Sequence, residues 1–366
     1  MTTATIQAEP LGPEPLPGEL SWPRLRRRLL ILALLLLAVA AAVWLLPGLG
    51  SLRRRFSDAS PRWLLAAVLL QVLSCLSYAV AFRSVFCRRM SWRTSYEIAM
   101  AELATNSLIS VGGAGGLALG AWILRRGGMS VRHIARRTVA FFLLTSLANV
   151  TALIVAGTGL ATGVLHGAPS PWLGIVPAAI GVIGIGLVLL LRPLARLLAA
   201  RTGRARLAAG LESLAGGVDE ALKLLRRREP LLILGLAGYL LFDVAVLGVC
   251  FAAFGNDVPA AGVLVMAYLI GQLGSLIPIP GGIGGVDGGL IGTLIVYGAD
   301  TVAAATAVLA YRAILLIVPV VLGVPAMLLL ERRLRQERHD IMICAPGGEV
   351  EVLGRGRVKA AELLRG

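Results

Sequence analysis

The chain has 366 residues, 57% of them hydrophobic and 15% charged, with a mean hydropathy of +0.83. A soluble domain sits near half apolar and a quarter charged, so a water-soluble globule is excluded. The net charge of +15 would suggest a nucleic-acid partner in a soluble protein. Here the basic residues flank apolar blocks, as the bias of Lys and Arg toward the cytoplasmic side of a membrane requires, and no nucleic-acid partner is expected.

Residues 1–23 are rich in Pro, Thr and acidic side chains and read as a disordered cytoplasmic segment. Arg24 to Arg28 then precede the apolar run Leu29–Leu46. Both the run and its leader are long for a signal peptide, so it reads as a retained first span. Five further blocks are long enough for a helix to cross about 30 Å of hydrocarbon: Trp63–Phe86, Thr138–Leu165, Trp172–Leu191, Leu231–Phe254 and Val302–Leu330. Two more apolar regions, Tyr96–Leu124 and Val258–Val296, are broken in the middle by glycines. Residues 194–228 mix apolar and basic positions and read as short amphipathic helices on the cytoplasmic face or as a plain basic linker. The membrane part is expected over 24–335. The remaining 336–366 read as a polar cytoplasmic tail, too short for a catalytic domain.

The loops assign sides. Arg88, Arg89 and Arg93 precede the first broken region and Arg125 to Arg137 follow it, so it enters from the cytoplasm and returns. The segments Gly163–Pro171 and Gly255–Pro259 lack basic residues and read as outside. Parity then makes the second broken region enter from the opposite face. One loop, with Arg53, Arg54, Arg55 and Arg62, disagrees with this scheme.

The two broken regions share a pattern. Asn106-Ser-Leu-Ile-Ser-Val-Gly112-Gly113-Ala-Gly-Gly116 is matched by Ser275-Leu-Ile-Pro-Ile-Pro-Gly281-Gly282-Ile-Gly-Gly285, 169 residues later. Paired interrupted segments in two halves point to a transporter's binding site. A broken helix presents free N–H groups and a positive dipole end, which suits an anion such as phosphate. A kink between two ordinary spans would leave a similar pattern.

Ionisable side chains inside spans are costly and mark function by default. Asp243 and Arg312 fall at about the same depth, roughly 16 Å below the outer surface at 1.5 Å per residue, and could pair. Asp287, after the second glycine break, is the alternative partner for Arg312. It could also face a cationic headgroup or act as an acid at a helix start. Arg312 is the leading binding residue, because a guanidinium grips phosphate bidentately and stays charged. Glu102 and Asn106 share one helical face before the first break. Gln71, Ser74 and Tyr78 form a polar stripe that reads as headgroup path or as helix–helix glue, and Arg83 is expected to snorkel. The scattered Cys75, Cys87, Cys250 and Cys344 read as small buried hydrophobes, and no metal site is expected.

At Ile277-Pro278 through Gly285-Val286-Asp287-Gly288-Gly289, at Tyr311-Arg312 and over Asn106–Arg126, the sequence resembles the lysylphosphatidylglycerol synthase transmembrane (flippase-like) family. The resemblance spans roughly residues 25–335. It implies a membrane domain that moves a phospholipid, or a polyprenyl-linked lipid, between leaflets. It also brings in Tyr311 beside Arg312 as a site residue. Bifunctional relatives carry an aminoacyl transferase domain, for which this chain has no room. Many relatives have Gly-Glu in the first broken region, where this chain has Gly115-Gly116-Leu117.

The expected fold is all-α: about six spans plus two glycine-broken re-entrant hairpins that form an inverted repeat. The expected function is lipid translocation without enzyme activity or cofactor, with membrane lipid as partner and a homo-oligomer left open. An accessory or enzyme of lipid synthesis is the alternative. The site set is Arg312, Asp287, Asp243, Asn106, Glu102, Tyr311, Gly112, Gly113, Gly281 and Gly282.

Overall fold

The computed structural model describes residues 56–108, 114–126, 129–201, 205–276, 282, 284–342, 349–352 and 356–359, with isolated positions between 26 and 41. The expected first span, 29–46, therefore falls largely outside the described residues. Ten helices are described: α1 Pro61–Phe86, α2 Trp92–Leu108, α3 Ala114–Arg126, α4 Val131–Ala161, α5 Trp172–Arg201, α6 Ala205–Arg226, α7 Pro230–Ala253, α8 Ala261–Gln272, α9 Gly285–Val296 and α10 Thr301–Met342. A 3₁₀ turn, Leu273–Leu276, extends α8. Five of them hold stretches long and apolar enough to cross a membrane: α1, α4, α5 over Trp172–Ala195, α7 and α10 over Thr301–Leu330. The protein is a polytopic helical membrane protein.

Local sequence explains the helix limits. Pro61 and Pro230 open α1 and α7, where the missing N–H costs nothing and the fixed φ suits the first turn. The helix α4 starts seven residues before the expected Thr138. Its first turns hold Arg132, Arg136 and Arg137, and Arg137 donates to the Val85 carbonyl at 2.6 Å and pairs with Glu220 at 3.0 Å. Basic residues that find acceptors at a helix end need not terminate it. Within the bundle α1 is inside-out relative to a soluble helix: Leu65, Leu69, Leu73 and Leu76 are exposed along one face. Gln71, Ser74, Tyr78 and Phe82 are buried on the other. Such a face matches hydrocarbon rather than water.

Residues 194–228 depart from the expected short surface helices. They are the end of α5 followed by one 22-residue helix, α6, which packs on α4 and α5. Gly216 and Gly217 bring its backbone against Arg136 and Val139. The tail is not simply polar coil either. Glu349–Val352 pairs antiparallel with Gly356–Lys359 in a two-stranded hairpin, because Val350, Val352 and Val358 alternate with charged residues at period two. The all-α description thus holds for the membrane body.

Two hairpins and one repeat organise that body. Glu102 lies against Gly120 and Asn106 against Gly116, so α2 and α3 run antiparallel after the break. In the same way Gly271 meets Leu290 and Gly274 meets Gly285, so α9 folds back along α8. A kinked span would instead carry its two legs apart, end to end. With 13 residues in α3 and 12 in α9, each returning leg covers about 20 Å or less, short of the hydrocarbon thickness. Both broken regions are re-entrant.

The 169-residue offset between the glycine motifs holds for eight of the ten described helices, α5 and α6 standing outside it. It carries α1 onto α7, α2 onto α8 with its 3₁₀ turn, α3 onto α9 and α4 onto the apolar part of α10, each start within two residues. Contacts come in matching pairs: α2 packs on α10 as α8 packs on α4, and α1 packs on α7. That last seam runs antiparallel. The Ser60 amide donates to the Ala253 carbonyl at one end, Ala81 touches Gly235 further along, and Arg88 pairs with Glu229 at the other end. Since α1 and α7 are equivalent and antiparallel, the two halves are inverted.

Candidate functional site

The second hairpin carries an ion pair. Asp287 lies in the first turn of α9, where its Oδ2 accepts the Gly284 N–H at 2.8 Å. Its Oδ1 accepts from Arg312 Nε at 2.7 Å. Arg312 reaches it from α10 and is 7% exposed, with Tyr311 fully buried beside it. Gly282 adopts φ +63°, and a Cβ there would stand 3.4 Å from a guanidinium nitrogen of Arg312. The left-handed backbone and the missing side chain let Gly282 itself approach the arginine. The acid sits where the positive end of α9 favours it, so Asp287 answers both a helix start and a cation.

The α1–α7 seam holds a second polar centre. Asp243 is 2% exposed. It accepts from Ser74 Oγ at 2.5 Å, Gln71 Nε2 at 3.3 Å and Tyr268 Oη at 3.1 Å. Ser74 and Asp243 are equivalent under the 169-residue offset, so their bond lies on the local two-fold axis. Three neutral donors solvate this carboxylate in place of a cation.

The first hairpin holds a third centre. Glu102 is 1% exposed and accepts from Tyr78 Oη at 2.8 Å through Oε2, while its Oε1 has no hydrogen-bond partner among the described residues. Asn106, one turn on, accepts the Gly116 N–H at 2.7 Å and ties the two legs together. Tyr78 stacks edge-on to Tyr239, ring centres 5.2 Å apart, which links this centre to the seam.

Of the sequence-derived set, the structure brings Arg312, Asp287, Tyr311 and Gly282 together, and Glu102 together with Asn106. Gly112, Gly113 and Gly281 lie outside the described residues. The pairing of Asp243 with Arg312 is not formed: Arg312 takes Asp287. Depth along a span is legible in sequence, but the two side chains turn to different neighbours, Asp243 toward α1 and α8, Arg312 toward α9. The stripe of Gln71, Ser74 and Tyr78 is buried as helix–helix contacts. Arg83 donates to the Met90 carbonyl at 2.8 Å and lies over Trp92, 4.3 Å from the ring centre. Cys75 and Cys250 are buried free thiols.

Sequence reasoning missed Tyr268, a lone hydroxyl in the apolar run of α8. It also missed a cavity of about 390 Å³ between α2 and α10, lined by Arg93, Tyr96, Glu97, Val321, Pro325 and Leu329. Glu97 is 3% exposed there; its Oε1 pairs with Arg93 at 3.1 Å and its Oε2 has no partner among the described residues. Pro325 was the available signal, since a proline inside a helix leaves a carbonyl unpaired one turn back. No cluster of three His, Cys, Asp or Glu suited to a metal occurs among the described residues.

No curated protein matches the chain. The profile of the lysylphosphatidylglycerol synthase TM region matches residues 30–323, which hold all ten site positions and both hairpins. The chain therefore belongs to the lysylphosphatidylglycerol synthase TM region family, a membrane-protein family tied to lipid metabolism.

Proposed function

We propose that this protein is a lipid translocator of the bacterial cell membrane, carrying a phospholipid or lipid-linked headgroup between leaflets with Arg312 as the headgroup ligand. One observation carries the reading: an inverted repeat whose two halves each hold a glycine-broken re-entrant hairpin, with a buried Arg–Asp pair at the second break. Paired broken helices at a repeat interface are the membrane-protein arrangement for binding a charged group in hydrocarbon. The arginine offers planar donors for a phosphate, and Asp287 holds it in place until an anion competes.

The multi-pass orientation follows from the charge. The end of the bundle bearing Arg88, Arg89, Arg93, Arg125, Arg132, Arg136 and Arg226 to Arg228 faces the cytoplasm, with both termini on that side. The partner is membrane lipid, anionic or zwitterionic, and the chain itself performs no bond-breaking step.

Purified full-length protein in liposomes with a fluorescent phosphatidylglycerol analogue tests this. Chemical quenching from outside should proceed beyond half of the signal in a protein-dependent way. In Arg312→Ala the rate should fall at least about tenfold, as expected for loss of a charge-assisted bidentate contact. Quenching that halts at half for every headgroup tried would overturn the translocator and favour an accessory role in lipid synthesis.

A further inference from the structure

We propose that Glu102 binds and releases a proton during each cycle, so that headgroup movement is coupled to the proton gradient. The inference rests on the translocator reading above and adds its energy source.

The argument starts from charge compensation. Five acids lie in the interior of the described bundle, Glu97, Glu102, Glu229, Asp243 and Asp287. Asp287 has Arg312, Glu97 has Arg93, Glu229 has Arg88, and Asp243 has three donors. Glu102 has one neutral donor, Tyr78, and an oxygen with no partner among the described residues. Leaving a buried carboxylate oxygen bare in hydrocarbon is so costly that the group instead takes up a proton. That neutral acid becomes a carrier once a donor or water reaches Oε1. Each turnover adds one proton to the carboxylate from one side and removes one to the other.

Among the described residues, what surrounds Glu102 contains no competing charge. Tyr78 faces it from α1, with Tyr239 of α7 and Phe141 of α4 behind that ring. Gly116 and Gly120 face it from α3, and Gly323 of α10 meets α2 at Met100 and Ala104. Glu97 and Arg93 are on α2 itself. Asp243 of the seam, reached through Tyr239, faces Ser74, Gln71 and the Cys75 thiol of α1, Tyr268 of α8 and Tyr311 of α10.

A cavity between α2 and α10 is lined by Glu97, whose Oε2 is unpartnered among the described residues. Glu102 lies five residues further along α2, about 7.5 Å along the axis and about 140° around it, on the face toward α1 and α3. The glycine at 120 is what lets the Glu102 side chain lie between the two legs, since a Cβ there would occupy the place of Oε1.

The test uses full-length protein in liposomes of phosphatidylcholine with a fluorescent phosphatidylglycerol analogue. The outer fraction is read by extraction with albumin, at equal pH and under a gradient of two pH units. Such a gradient is a driving ratio of about 100 per proton. The wild type should equilibrate the analogue to half at equal pH and move it away from half under the gradient, returning when nigericin collapses it. In Glu102→Gln the position of rest under the gradient should return to half, however much the rate at equal pH changes. A wild type that equilibrates yet ignores the gradient overturns the coupling and leaves the translocator standing; no equilibration under any condition overturns both. A Gln variant that follows the gradient like the wild type overturns the role of Glu102. A shift driven by sodium at equal pH overturns the proton. Should the variant misfold, trapped pyranine in wild-type vesicles keeps the question decidable: analogue added outside must change the internal pH, and a silent dye rejects the proposal.

Discussion

The two hairpins share a backbone plan and differ in chemistry. At the 169-residue offset, Glu102 corresponds to Gly271, Arg312 to Leu143, Asp287 to Ala118 and Asn106 to Ser275. The first hairpin encloses an acid between its legs, with Gly120 making the room. The second puts glycine at both equivalent positions, Gly271 and Gly289, so its legs close directly on each other and the charge moves to the first turn of α9 and to α10. One scaffold therefore holds a buried acid without a cation in one half and a buried Arg–Asp pair in the other. A re-entrant hairpin specifies where a polar group can sit in the membrane, and the side chains then choose which.

Four substitutions separate these descriptions, and thermal unfolding in detergent reads each. The largest effect is expected from Asp287→Asn, which leaves the 7%-exposed Arg312 without its acid. Breaking a buried pair from one side costs about 3–5 kcal/mol. Next comes Gly120→Ala, because the added carbon falls on Glu102 while Tyr78 holds that side chain in place. Overpacking of this kind costs about 1–3 kcal/mol. Its counterpart Gly289→Ala meets the Gly271 backbone at 3.1 Å from Cα without overlapping it, so the loss should fall at the low end of that range, about 1 kcal/mol. If the Gly120 and Gly289 variants lose equal stability, the contrast between the hairpins is wrong. The smallest effect, of opposite sign, belongs to Gly288→Ala. Nothing lies within 4 Å of that position, and replacing a helical glycine gains about 0.5–1 kcal/mol.

Much of this architecture was readable from the sequence. Block length located five spans to within a few residues, the exception being the start of α4, where three arginines masked helical turns that their acceptors stabilise. The repeated glycines located both hairpins, and their spacing proved to be the offset of the entire repeat. The side-chain partners were less accessible. Counting residues gave the depths of Asp243 and Arg312 but not the direction each faces, which depends on how α1, α8 and α9 pack around them. Glu102 and Asn106 were visible as a face, yet the partner that makes Glu102 unusual, Tyr78, lies 24 residues away on another helix. Residues 194–228 misled because α6 is one amphipathic helix that buries Ala215, Val218, Ala221 and Leu224 and packs on α4 and α5.

The bond between Ser74 and Asp243 joins residues that the repeat treats as one position. When two inverted halves exchange their conformations, every contact is replaced by the one its counterparts make. A contact between a residue and its own counterpart is replaced by itself. Opening to one face and opening to the other would therefore both retain the Ser74–Asp243 bond. The Arg312–Asp287 pair maps onto Leu143 and Ala118 and has no such guarantee. On the proposed translocator reading, the seam is the fixed axle and the arginine belongs to the part that turns.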